Sequence, residues 1–404
     1  MKKILVIGAG ASGMMAAIQA AEHGSKVTVY ERNDRVGRKI LATGNGKCNL
    51  TNLCMGSEYF YCDNPKKLER YLETFSNTDT IRFFETHGLM LRDRDGYVYP
   101  YCEQASVVLD VLRNALNECN ITVKTMVKDI KIESGKKEDF SVVSSAGKEV
   151  FDAVILACGS RAGIKNPDTS GYGYAKAFGH TIHKLLPALV QVRCHEDFFP
   201  MVSGVRCKVR LSLLCNNVKE AEETGELQLT DYGISGIPVF QISREIAGNL
   251  AQKKAVSVLI DFLPDMTETE WVAFYSERLK QYVGRCAENF LLGILHKKLS
   301  IMLLKQYGIK TSECINKQNE GALKTLCESM KHFTVTPKEV NSFEQAQVCR
   351  GGVDFNELDE KLQSVFKKNL YICGEMVDVD GKCGGYNLQW AWTSGCIAGI
   401  AASE

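Results

Sequence analysis

The opening segment KKILVIGAGASGMMAAIQAAEHGSKVTVYE constrains the fold more than any other part of the chain. Ile4 to Ile7 form an apolar run that reads as a buried strand, Ser12 to Glu22 an Ala-rich helix, and Lys26 to Tyr30 a second strand. Between strand and helix stand Gly8, Gly10 and Gly13 in the spacing GxGxxG, and Glu31 closes the second strand. Each glycine has its own steric task. Gly8 permits a tight turn, Gly10 lets the backbone approach a pyrophosphate, and Gly13 lets the helix pack on the strand. A diphosphate then sits at the positive end of the helix, with Glu31 placed to accept hydrogen bonds from ribose hydroxyls. The unit predicts a Rossmann-like α/β domain holding an ADP-containing cofactor.

The same opening superficially resembles a secretory signal, because Lys2 and Lys3 precede apolar residues and small residues follow. Gly8, Gly10 and Gly13 interrupt the continuous apolar helix that a signal needs, so the folded unit is the better reading. No other run reaches the roughly 18 apolar residues of a membrane span, and a soluble, cytoplasmic protein with no membrane partner is expected. In 404 residues, 49 Lys and Arg balance 48 Asp and Glu. A net charge of +1 gives no basic footprint for nucleic acid, so the expected partner is a small molecule; oligomeric state is left open. The 16 cysteines are scattered, with no zinc-like spacing, and read as reduced thiols with no metal site. The sequons at Asn49 and Asn120 have no meaning in a cytoplasm.

Residues 66–90 and 104–119 carry helical spacing, Ile121 to Glu133 alternate as a strand, and Phe151 to Gly159 read as a buried parallel strand ending in glycine. From 186 to 266 the texture turns to short β-rich pieces such as Val205–Leu214, Gly225–Leu229 and Ala255–Phe262, which predict an inserted antiparallel β-barrel domain. Residues 267–332 read as a small helical subdomain. From 333 the nucleotide-domain pattern returns: Phe343–Val348 as strand, Gly351-Gly352-Val353 as turn, Leu370–Gly374 as strand, then a glycine loop and a small-residue helix. The FAD-type domain is thus expected to be split into 1–185 and 333–404, with the insertion roofing the cofactor.

Glycine-rich segments at 8–13, 44–46 and 381–385 need a common explanation, and one extended cofactor across the sheet edge supplies it. NAD alone needs only the first. FAD also needs contacts along its ribityl chain and ring, which the C-terminal strand and helix would give.

Three motifs, RVGRKILATGNGKCNLTN at 35–52, RGGV at 350–353 and GEMVDVDGKCGGYNLQWAWTSG at 374–395, resemble the BaiN-type flavoproteins, a family that includes aminoacetone oxidase-like members. The resemblance runs along nearly the whole chain, and GELQLTDYGISGIPVFQIS at 225–243 is similar to the family's barrel motif. It implies a two-dinucleotide-binding-type FAD domain with an inserted β-barrel and helical piece. It implies further that Gly8, Gly10, Ala11, Ser12, Gly13, Glu31 and Arg32 hold the ADP half of FAD. Arg38, Lys39, Asn45, Gly46 and Cys48 would approach pyrophosphate and flavin, Val127 the adenine, and Ala157 and Gly159 the ribose. Gly374, Glu375 and Asp378 would lie on the ribityl side, and Gly384, Gly385, Tyr386, Asn387, Leu388 and Gln389 would cap the pyrimidine end of the ring. The chain departs from the family at 168–174, DTSGYGY, where Tyr172-Gly173 stands for the more frequent Asp-Gly pair.

The resemblance implies an oxidoreductase of one of two kinds: NADH or NADPH feeding FAD for hydride transfer to a conjugated alkene, with a 3-oxo-Δ4,6 bile acid intermediate as candidate, or an aminoacetone-type amine oxidase using oxygen. The first is preferred; a non-catalytic FAD-binding protein is the reading of another class. Gly171, Gly173 and Gly179 lack a leading strand and do not make a second dinucleotide fold. Cys48 and Cys54 are spaced C-x5-C, unlike the C-x4-C of flavin disulfide reductases, and read as structural. Tyr97, Tyr99 and Tyr101 alternate as a strand whose default role is packing, with substrate contact the other reading. His180, His183 and His195 are acid/base candidates by residue type alone, and the sequence assigns no catalytic residue.

Overall fold

The computed structural model describes residues 1–135, 138–165 and 169–404, so Asp168 of the departing segment lies outside the described residues. The chain forms two compact units, one of Met1–Leu186 with Gln347–Glu404 and one of Pro187–Ala346. The elements used below are, in chain order, β1 (Lys3–Ile7), α1 (Ala11–Glu22), β2 (Lys26–Tyr30), β3 (Thr51–Asn52), β4 (Leu91–Arg94), β5 (Tyr97–Pro100), β6 (Thr122–Lys124), β7 (Ala153–Leu156) and α2 (Ser170–Ala177). They continue with β8 (Arg206–Cys215), β9 (Val218–Leu229), α3 (Ile237–Ala251), β10 (Val256–Asp261), β11 (Leu370–Ile372) and α4 (Tyr386–Ser403).

The first unit is built on a parallel sheet in the order β11-β7-β1-β2-β6, with Ile4 opposite both Ala153 and Val27 and Val154 opposite Leu370. Ile4, Leu5 and Val6 are fully buried, as a strand covered on both faces requires. Helices α1 and α4 pack through small residues. A Cβ on Gly395 would fall 2.4 Å from the Ser12 carbonyl oxygen, and one on Gly399 2.4 Å from that of Ala16, so only glycine allows this approach. Buried nearly all round, α4 ties distant loops together. Trp390 Nε1 donates to the Gly374 carbonyl and Trp392 Nε1 to that of Leu50, both at 3.0 Å, and Ser394 Oγ accepts from Gly374 N at 2.9 Å.

The second unit carries an antiparallel sheet ordered Phe333–Val335, β10, β8, β9, Gly233–Ser235, Val192–Cys194, Pro337–Val340. Val209, Leu211 and Leu213 alternate inward along β8, and Trp271, Phe290 and Leu303 come from the helical segment to the same core.

Four expectations change. The segment Ile121–Glu133 is two short strands, β6 and Lys131–Ser134, because left-handed Met126 and Asp129 break it. Residues 66–90 are two helices, Pro65–Thr74 and Asn77–Thr86, divided where Ser76 caps the second in a reciprocal box with Asp79. Phe343–Val348 is a turn, with Ala346 N bonded to the Ser342 and Phe343 carbonyls, and the strand is Val348–Arg350. The β-rich texture after 186 hides α3: Gly236 at φ 105° and Pro238 in the first turn start a helix that buries Val239, Ile242 and Ile246.

Candidate functional site

The GxGxxG turn has the strain and the free space that its sequence predicts. Gly8 has φ 105°, and a Cβ there would lie 2.4 Å from the Ala157 carbonyl oxygen; on Gly13 it would lie 1.9 Å from that of Gly8. At Gly10 a Cβ would meet nothing within 4 Å, so the space above this turn is open. Gly10 is the N-cap of α1, which has no side-chain cap and no acid in its first turn. Its leading amides therefore have no side-chain partner at the cap, and the space beside Gly10 is open. Beneath them Glu31 is locked: Oε2 accepts from Ala9 N at 2.9 Å, and Oε1 from Asn33 N at 2.8 Å and Asn33 Nδ2 at 2.6 Å. Val127 donates its N–H to the Glu31 carbonyl at 3.0 Å, Ala157 N bonds Ile7 O at 2.9 Å, and Gly159 at φ 71° borders open space. Arg32 and Arg38 are exposed, with Arg38 Nη1 donating to Asn33 Oδ1 at 2.9 Å.

The second glycine segment is a run of left-handed backbone: Gly44 at φ 55°, Asn45 at 53° and Gly46 at 84°, with Cys48 at 57°. Such a cluster is costly for Asn and Cys and marks a loop whose shape matters. Asn45 is exposed, and a Cβ on Gly46 would again meet nothing within 4 Å. Cys48 is fully buried, and burial pushes its thiol up to about 12, so it is no nucleophile; Cys54 is exposed and no disulfide joins them.

The third segment meets the other two. Gly374, at φ 68°, sits so close to α1 that a Cβ would fall 2.2 Å from Ser12 Oγ. Glu375 takes Lys39 Nζ at 2.5 Å on Oε2 and Cys349 N at 3.2 Å on Oε1, linking the stretches that precede the second and third segments. Gly385, at φ 94°, presses on the Thr51 backbone and is the N-cap of α4, again without a side-chain cap. Asn387 holds the loop by accepting from Gly381 N at 2.8 Å and donating to its carbonyl at 2.7 Å. Tyr386 stacks on Tyr59 with ring centroids 4.8 Å apart, and Leu388 is half-buried. Gln389 is fully buried, its amide taken up by Thr51 Oγ1 at 2.6 Å and Thr393 Oγ1 at 3.0 Å. The turn after β1 thus touches Ala157 after β7 and Gly374 after β11, and Lys39 and Thr51, which flank the second segment, meet Glu375 and Gly385.

Three features were hidden in the sequence. His183 Nδ1 lies 2.7 Å from Asp378 Oδ2 and Nε2 3.5 Å from Asp354 Oδ2. Burial opposes its charge, but the Asp378 hydrogen bond and the two carboxylates prevail and hold its pKa above the usual value. Tyr172, on α2 beside Cys158, is buried with a hydroxyl that has no hydrogen-bond partner among the described residues. Ser364, His180 and Glu357 line up like a hydrolase triad, with Nε2 2.7 Å from Ser364 Oγ and Nδ1 3.1 Å from Glu357 Oε2. Here, however, the His180 side chain is fully buried, burial lowers its pKa, and Ser364 Oγ accepts from Phe366 N and Lys367 N, which makes the trio a loop brace. His195 belongs to the second unit.

Fold and site define a Rossmann-type dinucleotide-binding protein. The chain belongs to the HI0933-like family, whose Rossmann-domain model matches residues 2–401. It is 39% identical over 410 residues to a 3-dehydro-bile acid delta(4,6)-reductase of Clostridium scindens, covering 100% of both chains. It is 28% identical over 412 residues to a ribosomal RNA dihydrouridine synthase of Haemophilus influenzae, covering 99% of this chain and 98% of that one. Among solved structures it resembles a 3-ketosteroid-delta4-(5alpha)-dehydrogenase of Rhodococcus jostii, with TM-score 0.54, 13% identity and coverage of 100% and 97%, a likeness of fold. The chain is an oxidoreductase. Among the described residues no helix is long and apolar enough to cross a membrane.

Proposed function

We propose that the chain is an FAD-dependent reductase of a carbon–carbon double bond conjugated to a carbonyl, with NADH or NADPH as the electron source. The observation that carries this reading is the meeting of the GxGxxG turn with Ala157 after β7 and Gly374 after β11, with nothing within 4 Å of a Cβ placed on Gly10 or Gly159. The residues fit FAD. The uncapped N-terminus of α1 suits its diphosphate, Glu31 its ribose, and the uncapped N-terminus of α4 the negative charge of a reduced ring. The orphaned Tyr172 hydroxyl offers a further donor on that edge.

FAD, when bound, supplies two-electron hydride chemistry. The chain's own residues position and carry protons: Lys39 binds Glu375 across the stretches that precede the second and third glycine segments, and His183, whose pKa the Asp378 hydrogen bond and the two carboxylates raise, offers a proton at Nε2. Domain limits are proposed as 1–185 and 333–404 for the FAD domain, 186–266 for a β-barrel and 267–332 for a helical piece.

One relative is named a 3-dehydro-bile acid delta(4,6)-reductase and another a ribosomal RNA dihydrouridine synthase, and the product of each has a carbon–carbon double bond fewer, next to a carbonyl system, than its precursor. The higher identity to the bile acid enzyme and the balanced charge favour a small-molecule enone over RNA. The test is anaerobic turnover of a 3-oxo-4,6-diene steroid acid by the flavin-loaded protein with NADH or NADPH. Loss of the dienone chromophore is expected, with one equivalent of nucleotide oxidised for each carbon–carbon double bond saturated. No turnover, with oxidation of an aminoketone by oxygen instead, refutes the proposal.

A further inference from the structure

We infer that the outer face of the small sheet β3-β5-β4 is the substrate's docking face, and that it takes an organic acid with a flat apolar body. The inference deepens the enone-reductase proposal and rests on it for the nature of the reaction.

In this antiparallel sheet Arg92 lies opposite Tyr99 and Arg94 opposite Tyr97. Directly opposed residues share a face, so both arginines project with the tyrosine stripe, while Asp93 and the buried Val98 belong to the other side. The stripe adjoins two of the glycine loops. Tyr97 Cε1 lies 2.9 Å from where a Gly384 Cβ would be, and Tyr99 Cε1 3.9 Å from that of Gly44. Asn52, opposite Tyr97, donates from Nδ2 to the Gly384 carbonyl at 3.1 Å. A molecule lying on this face therefore lies beside the loops assigned to the cofactor.

The charge on the face is unbalanced. Arg92 and Arg94 both pair with Oε1 of Glu103, and Lys47 Nζ with Oε2 at 2.9 Å, so three cations share one carboxylate. Even counting Asp95, the acid of the turn beside Tyr97, positive charge is in excess. Glu103 is itself held at φ 54°, a backbone state that a non-glycine residue rarely adopts. Arg92 Nε is buried with no acceptor among the described residues, and its guanidinium lies 5.4 Å from the Tyr101 ring centroid. The Arg94 side chain stays 54% exposed and Lys47 48%, open to an incoming anion.

This combination selects one ligand chemistry. A guanidinium fork donates two parallel hydrogen bonds to a carboxylate, and half-buried tyrosine rings cover a flat hydrocarbon. An ammonium substrate would meet like charge here.

The experiment uses the flavin-loaded full chain, with a 3-oxo-4,6-diene steroid acid and its methyl ester as probes in equilibrium binding and steady-state kinetics. The wild type should bind the acid roughly tenfold more tightly than the ester, since the ester lacks the charge-assisted bonds. Arg94→Gln should raise KM for the acid by about that factor, erase the preference and leave flavin content unchanged; Arg94→Lys should restore part of it. Equal affinity for acid and ester, or a preference that survives Arg94→Gln, overturns the inference. Salt-dependent capture of an RNA stem, lost in Arg94→Gln and without any acid preference, overturns it in favour of a polynucleotide. If neither probe is reduced, the enone reading fails; the acid-to-ester binding ratio still decides the docking face separately.

Discussion

The two units use backbone strain differently. In the first, each glycine-rich segment contains left-handed residues: Gly8 at one strand end, Gly44 to Gly46 in the second segment, and Gly385 in the third, with Gly374 just before it. In the second, adjacent left-handed Asn216 and Asn217 form the two-residue link between β8 and β9, where a hairpin turn requires positive φ at both positions. Positive φ at the end of the parallel sheet accompanies close backbone approach at Gly8 and Gly374, whereas between the antiparallel strands it reverses the chain. The cores differ likewise: β1 is apolar without interruption from Ile4 to Ile7, whereas β8 alternates.

This contrast breaks most severely at buried charge and packed glycine. In the second unit Lys331 Nζ lies 2.7 Å from Asp261 Oδ2 and also donates to the Leu263 and Met266 carbonyls, with both side chains about nine-tenths buried. Asp261→Ala leaves that cation unpaired and should cost about 3–5 kcal/mol in chemical denaturation, with flavin content of the folded protein unchanged. In the first unit Gly13→Ala forces a Cβ into the Gly8 carbonyl. It should cost ~3 kcal/mol and abolish flavin retention, measured by absorbance after gel filtration.

Smaller effects sharpen the comparison. Tyr172→Phe removes a buried hydroxyl that has no partner among the described residues, so the flavin-free protein should gain about 1 kcal/mol while the FAD dissociation constant rises. Opposite signs in those two measurements identify the hydroxyl as a ligand group. Asn217→Ala should cost about 1 kcal/mol and leave flavin affinity untouched. For His183, whose folded pKa lies above its ordinary 6.5, the stabilisation is fully present below that value and is lost as pH rises through the raised one. The stability gap between wild type and His183→Gln should therefore narrow on the alkaline side, as followed by thermal melts across pH.

Local sterics were legible in the sequence. The GxGxxG turn and both flanking strands are where the spacing puts them, because each glycine answers to a neighbour a few residues away or to a strand end. What joins remote segments was not legible: Lys39 meets Glu375 across 336 positions and His183 meets Asp378 across 195. Residue type gives Lys39 and His183 a charge but no address. Helix α3 was masked by its β-branched and aromatic residues, whose burial on one face overrides local preference. The tyrosine stripe was visible as alternation, yet its companions Arg92 and Arg94 declare themselves only through strand register.

The most direct test of the account is the visible spectrum of the purified protein through an anaerobic cycle of NADH or NADPH and then the steroid dienone acid. A flavin band that bleaches with nucleotide and returns with the acid is the predicted result. A colourless protein, or a flavin band that no nucleotide bleaches, contradicts it.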